Sequence, residues 1–181
     1  MLVAELLIDR KGEILDSWVD QVLATYPADG SRIFKKEKDR FANPVGVAVK
    51  SSLWSVYALL FEKNEPEKIV ESLEHMVQIR AVQTFNPSEA VSMAYILKRV
   101  IKDFCRKDKV DDHDGWLAFE EKADILAYTM FDLYSACRER LYQTRIAEIK
   151  SGNSITTDRG CPSKLMDENA AGEKTLKTIT V

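Results

Sequence analysis

Seven glycines and five prolines are the strong chain breakers in 181 residues, and between them apolar residues return every third or fourth position rather than every second. A 3.6-residue period gives a helix one apolar face, whereas a half-buried strand needs alternation. The spacing therefore predicts an all-α chain of about five to six helices.

The first helix is expected from about Leu2 to Tyr26, with Leu7, Ile14, Trp18, Val22 and Tyr26 as its inward stripe and Gly12 as its weak point. Pro27 and Asp29-Gly30 end it. In the connector that follows to Ala42, Ile33 and Phe34 are expected to plug the core while Lys35, Lys36, Lys38 and Arg40 face water. Asn43-Pro44 opens a second helix reaching about Phe61. Asn accepts from the free amides of a first turn, and Pro at the first helical position loses no bond. A third helix, about Glu67 to Thr84, turns Ile69, Val70, Leu73, Met76, Val77 and Ala81 inward. Asn86-Pro87 repeats the starting device for a fourth, which runs to about Arg106 with Val91, Ala94, Tyr95, Leu97, Ile101 and Phe104 inward.

The last helix is expected over about Trp116 to Ile149, roughly 50 Å at 1.5 Å per residue and longer than a domain of this size. Phe119, Ala123, Leu126, Met130, Leu133 and Cys137 form a seam on it. Leu141, Tyr142, Ile146 and Ile149 continue the apolar character beyond the reach of the domain, where a partner helix would cover them. The domain thus spans 1–149. Residues 150–181 are small and polar without an aromatic, so they cannot bury enough to offset ordering entropy and are predicted to be a disordered tail.

Composition narrows the function. Lys and Arg number 26 against 29 Asp and Glu, a net charge of -3, which gives no electrostatic ground for nucleic acid as a partner. Glu5 and Asp9 interrupt the apolar opening before a signal peptide could form. No run approaches the roughly 18 apolar residues of a spanning helix, so no membrane insertion is expected. Cys105, Cys137 and Cys161 are odd in number and without C-x-x-C pairing, which fits a reducing cytoplasm better than a disulfide framework or a zinc site. Cys105 and Cys137 are read as interior residues.

Chemistry is sparse. His75 lies mid-helix without a second ligand near it, and the Asp111-Asp112-His113-Asp114 loop lacks the glycine and terminal Glu of a calcium loop. Glu120 and Glu121 are adjacent and diverge on a helix, and there is no phosphate loop, nucleophile elbow or Cys/His arrangement. No enzyme, metal or cofactor is expected. The competing reading is a small-ligand or haem-binding globin-type sensor or carrier, with His75 as its one helical ligand and Phe34, Phe41, Trp54, Tyr57 and Phe61 enclosing a flat group.

The segment QIRAVQTFNPSEA, residues 78–90, holds the most information. Arg80 and Gln83 stand near the end of one helix, Phe85 follows the turn, and Asn86, Pro87 and Ser88 begin the next. Two readings fit. Arg80 and Gln83 satisfy carbonyls and fix the corner, or they line a small anion or ligand site with the helix N-terminus.

The same stretch resembles the hallmark of the RsbT co-antagonist (RsbRD) N-terminal-domain family, an I-R-A-V-Q-x-F-x-P-S-x-A-V core, here Ile79 to Val91, followed by Leu97-Lys98. Phe41-Ala42-Asn43-Pro44-Val45-Gly46 is similar to the family's second-helix start, and Trp18, Tyr26 and Pro27 match a third pattern. The resemblance, over about residues 5–145, implies a globin-like helical bundle without haem, usually homodimeric, serving as the sensory end of stress-signalling proteins. In co-antagonists the last helix leads to a phosphorylatable output domain. Here only the short tail follows Ile149, so the expected output is association with a partner. Stand-alone relatives beside anaerobic respiratory systems, such as sulfite-reduction complexes, make a respiratory-complex protein one implied partner. Arg80, Gln83, Phe85, Pro87, Ser88, Phe41 and Asn43 are the candidate binding or corner residues, and Leu141, Tyr142 and Ile146 the candidate dimer contacts.

Overall fold

The computed structural model describes residues 1–26, 43–83 and 85–151. Six α-helices occur among them: α1 (Val3–Asp9), α2 (Lys11–Leu23), α3 (Pro44–Tyr57), α4 (Ile69–Val82), α5 (Pro87–Lys107) and α6 (His113–Lys150). No strand occurs among the described residues. The chain divides into Met1–Leu141 and Tyr142–Val181. Lys150, the first residue of the tail expected to be disordered, ends α6; Ile33, Phe34, Phe41, Cys161 and the tail from 152 on lie outside the described residues.

The predicted first helix is two. The interruption falls at Arg10, whose φ and ψ are −104° and 14°, rather than at Gly12. Arg10 spends its guanidinium across the break, on Asp108 at the end of α5 (3.1 Å from Nε) and on Glu13 (2.8 Å), so the bend points this fork at another helix. The apolar stripe is as expected: Ile14, Trp18 and Val22 are fully buried, and Leu7 and Tyr26 nearly so. Trp18 also donates its indole N–H to the Met93 carbonyl of α5 at 2.9 Å, which lets a polar atom sit in the core without loss.

Asn43 starts α3 as its sequence predicts. Its side chain accepts from Gly46 N at 2.8 Å. A Cβ on Gly46 would lie 2.4 Å from the Asn43 side-chain amide, so with Asn43 held as it is here a larger residue three positions on would push the cap aside. The same device begins α6, where Asp112 accepts from Gly115 N at 3.0 Å and a Gly115 Cβ would fall 2.0 Å from its carboxylate.

After Tyr57 the second predicted helix widens into a π turn, Ala58–Glu62. Residues Pro44–Glu62 together reach the length and mean hydropathy, 1.3, of a membrane span, which the sequence reading did not anticipate because serine, alanine and glycine break its apolar run without adding charge. In the fold Val49, Leu53, Val56 and Tyr57 of this helix are buried in the core, against α2 and α4.

Burial departs from periodicity at two places. Val70 is 43% exposed and Tyr95 60% exposed, although both lie at expected inward positions. Each neighbours a better-placed residue, Ile69 and Ala94, which takes the core position instead. The α5 end has no glycine, yet it closes with Lys109 at a left-handed φ of 53° and Val110 N bonded back to Cys105 O at 2.9 Å, a helix stop that glycine usually supplies.

Along α6 the expected seam is buried: Phe119, Ala123, Leu126, Met130 and Cys137 contact the core, with Leu133 half-buried against it. Lys98 ties α5 to α6 through Asp124 at 2.8 Å, and Lys122 donates to the Leu60 carbonyl of the π turn at 3.0 Å.

A buried arginine corner and two open surfaces

Arg80 ends α4 with no solvent exposure. An arginine cannot shed its proton, so a buried one must be matched where it stands. One guanidinium nitrogen donates to Glu89 O at 3.0 Å and the other to Thr25 Oγ1 at 2.9 Å. The rings of Tyr26 and Phe85 lie 4.9 and 4.8 Å from its centre, and these two rings meet edge to face. No carboxylate pairs with Arg80 among the described residues, so π faces and neutral oxygens carry the charge. Its Nε is buried without a hydrogen-bond partner.

Two donors from α6 close the corner. Tyr134 OH donates to Phe85 O, and Arg138 donates to Ala81 O, a carbonyl in the last turn of α4, at 3.1 Å. The start of α5 is also occupied: Glu89 accepts from Asn86 N at 2.9 Å, the reciprocal arm of a capping box. A carboxylate of the chain thus sits where an external anion would bind.

The sequence-predicted set separates here. Arg80 and Phe85 meet in the interior; Gln83, Pro87 and Ser88 are exposed; Asn43 is buried at the separate start of α3. Thr25, Tyr26, Glu89, Tyr134 and Arg138 were not singled out as corner residues. Tyr26 could have been, since it belongs to the Trp18-Tyr26 pattern, which meets the Arg80 stretch at Phe85. Tyr134 and Arg138 carry no such signal.

Of the aromatic residues weighed for a flat cofactor, Tyr57 and Phe61 pack on each other, Trp54 is partly buried against the core, and Phe34 and Phe41 lie outside the described residues. Tyr57, Phe61, Phe119 and Trp116 form a run with centroid distances of 4.9, 5.7 and 5.2 Å, and the Tyr57 hydroxyl donates to Leu7 O at 2.7 Å. Burial pushes that phenol's pKa up, with Glu62 adding to it. His75 is exposed on α4, outside this cluster. No group of three or more potential metal ligands gathers among the described residues.

Asp112 of the acidic loop is a structural cap: besides Gly115 N it accepts from Val3 N at 2.9 Å, holding the start of α1. These two amides lower its pKa. Cys105 is half-buried and Cys137 buried. Desolvation, then the charges of Asp108 and Asp112, raise the Cys105 thiol, which disfavours its thiolate form.

The outward side of α6 is different in kind. Leu117, Ile125, Tyr128 and Phe131 are 45, 40, 70 and 51% exposed, and Leu141 is 40% exposed at the end of the first unit. In the second unit Tyr142, Ile146 and Ile149, spaced four and three apart, are 57, 51 and 61% exposed.

A family model described as the RsbT co-antagonist protein rsbRD N-terminal domain matches residues 12–149. A protein of Archaeoglobus fulgidus, described as uncharacterized, is 24% identical over 142 residues, covering 78% of this chain and 85% of its own. No solved structure matches.

Proposed function

The chain belongs to the RsbT co-antagonist protein rsbRD N-terminal domain family, and from that premise we propose that it is a non-enzymatic sensory module of the stressosome type, acting in the cytoplasm by association. It pairs with a second copy through α6 and passes its state to a regulatory or respiratory-complex protein. The observation that carries this reading is the set of large apolar side chains exposed on α6. Isolated exposed leucines are ordinary, but several aromatic and aliphatic side chains on one helix are the usual material of an interface. The same helix supplies core residues and corner donors, so a partner bound outside can bias the packing within.

Light scattering tests the pairing. The full chain is expected at twice its 20.6 kDa mass. Tyr128→Glu with Phe131→Glu, or Ile146→Glu with Ile149→Glu, should give a monomer that melts as the wild type does when diluted to its own monomer, and the pair that does so locates the contact. A wild-type chain that stays monomeric at every concentration sinks the reading.

A further inference from the structure

A cavity of about 820 Å³ runs along α3 and α4, and its described walls contain none of the corner residues. Its size is that of a small-molecule site. Ser51, Ser52 and Ser55 of α3 line it with Glu71, Ser72 and His75 of α4, over an apolar base that includes Val47. The outer face of a core helix ordinarily carries charge, yet Lys50 is the one charged residue in the fourteen of α3.

These serines are also uncommitted. Elsewhere Thr25, Ser92, Thr129 and Ser151 turn their hydroxyls back onto a carbonyl three or four residues earlier, at 2.7 to 2.9 Å, the common resting state of a hydroxyl on a helix. Ser52 makes no hydrogen bond among the described residues although it is only 8% exposed and lines the cavity. Its oxygen opens on the cavity and has no partner among the described residues, so it is free to bond a polar ligand there.

We propose that this groove binds a neutral, polyhydroxylated small molecule of about monosaccharide size. Each serine can donate and accept at once, and Glu71 can accept from two neighbouring hydroxyls. The small side chains let a ring approach the helix backbone, and the apolar base suits its C–H face. Glu71 puts a carboxylate on the described wall, which disfavours an anionic ligand.

The site deepens the sensory reading and rests on it for its purpose alone. Binding is measured on the isolated chain, so an empty titration leaves pairing through α6 standing, and a monomeric chain leaves the titration standing. Amide shifts of the ¹⁵N-labelled full chain would be followed with D-glucose and with myo-inositol, and with sodium phosphate and ethanolamine as charged probes. Saturable shifts centred on residues 47–55 and 71–75 are expected with a neutral polyol and not with the charged probes. Ser52→Ala should raise Kd roughly tenfold, and Ser72→Ala should act in the same direction. Alanine is the best helix former, so both variants should melt as the wild type does. No saturation with either polyol, saturation with a charged probe alone, or an unchanged Kd in Ser52→Ala would each overturn the assignment.

Discussion

At the Arg80 corner a full positive charge is withdrawn from water and matched by two oxygens and two aromatic faces, whereas on the outer side of α6 Tyr128 and Phe131 are left 70 and 51% in water. Both arrangements look costly, but for different reasons. The charge is met, apart from an unpartnered Nε, by groups of this chain, drawn from the end of α2, α4, the start of α5 and α6. The demands of the α6 surface are met by nothing among the described residues. A matched buried charge holds a fold together; unmatched apolar surface recruits something else. Around Arg80 the chain therefore joins its own helices, and the surface proposed to pair lies elsewhere, on α6.

The comparison breaks most readily at Arg80. Arg80→Leu should cost about 2–4 kcal/mol, from two charge-assisted hydrogen bonds, two ring contacts and imperfect filling of the space, measured as a fall in urea midpoint. Arg80→Lys should recover little, because an ammonium cannot reach both oxygens while lying flat between the rings. Unchanged melting together with lost pairing would instead make the corner a binding site.

Gly46→Ala should cost about 1–2 kcal/mol, since its Cβ drives Asn43 out of the cap. Gly12 provides the control: a Cβ there meets nothing within 4 Å, and Gly12→Ala should add about 0.5–1 kcal/mol of stability. If the two alanines act alike, the cap argument fails.

Asp112 gives a smaller, pH-dependent effect. Its folded pKa is lowered by the Val3 and Gly115 amides, so its contribution is present above its ordinary value near 3.8 and is lost as pH falls below that and through the folded value. Asp112→Asn should flatten the acid limb of a melting-temperature profile below about pH 4. An unaltered limb would show that the carboxylate charge is idle there. Smallest of all should be the stability change in the α6 surface variants, within about 0.5 kcal/mol of the diluted, dissociated wild type, although they are expected to abolish pairing. A large loss of stability in them would erase the distinction between corner and surface.

Helix order was legible because the punctuation is local. Asn43-Pro44, Pro66 and Asn86-Pro87 act within one turn of where they stand, and each begins a helical segment at that point. The break at Arg10 was not legible, because the partner its side chain meets there, Asp108, lies 98 residues away. Nor was the sharing of the corner: Arg80 and Phe85 are five residues apart, but Thr25 and Tyr134 reach them across 55 and 49 positions.

What the amino-acid order determined by itself is the all-helical class, most helix starts and the inward stripes, since a repeat of 3.6 residues and a cap three residues from its amide depend on neighbours in the chain. Only the tertiary structure decided which polar residues go inside. Arg80 and Gln83 look equivalent in sequence; the first is buried between Tyr26 and Phe85 and the second is exposed. Satisfying a charge away from water takes partners from distant segments, and their convergence is a property of the packed fold.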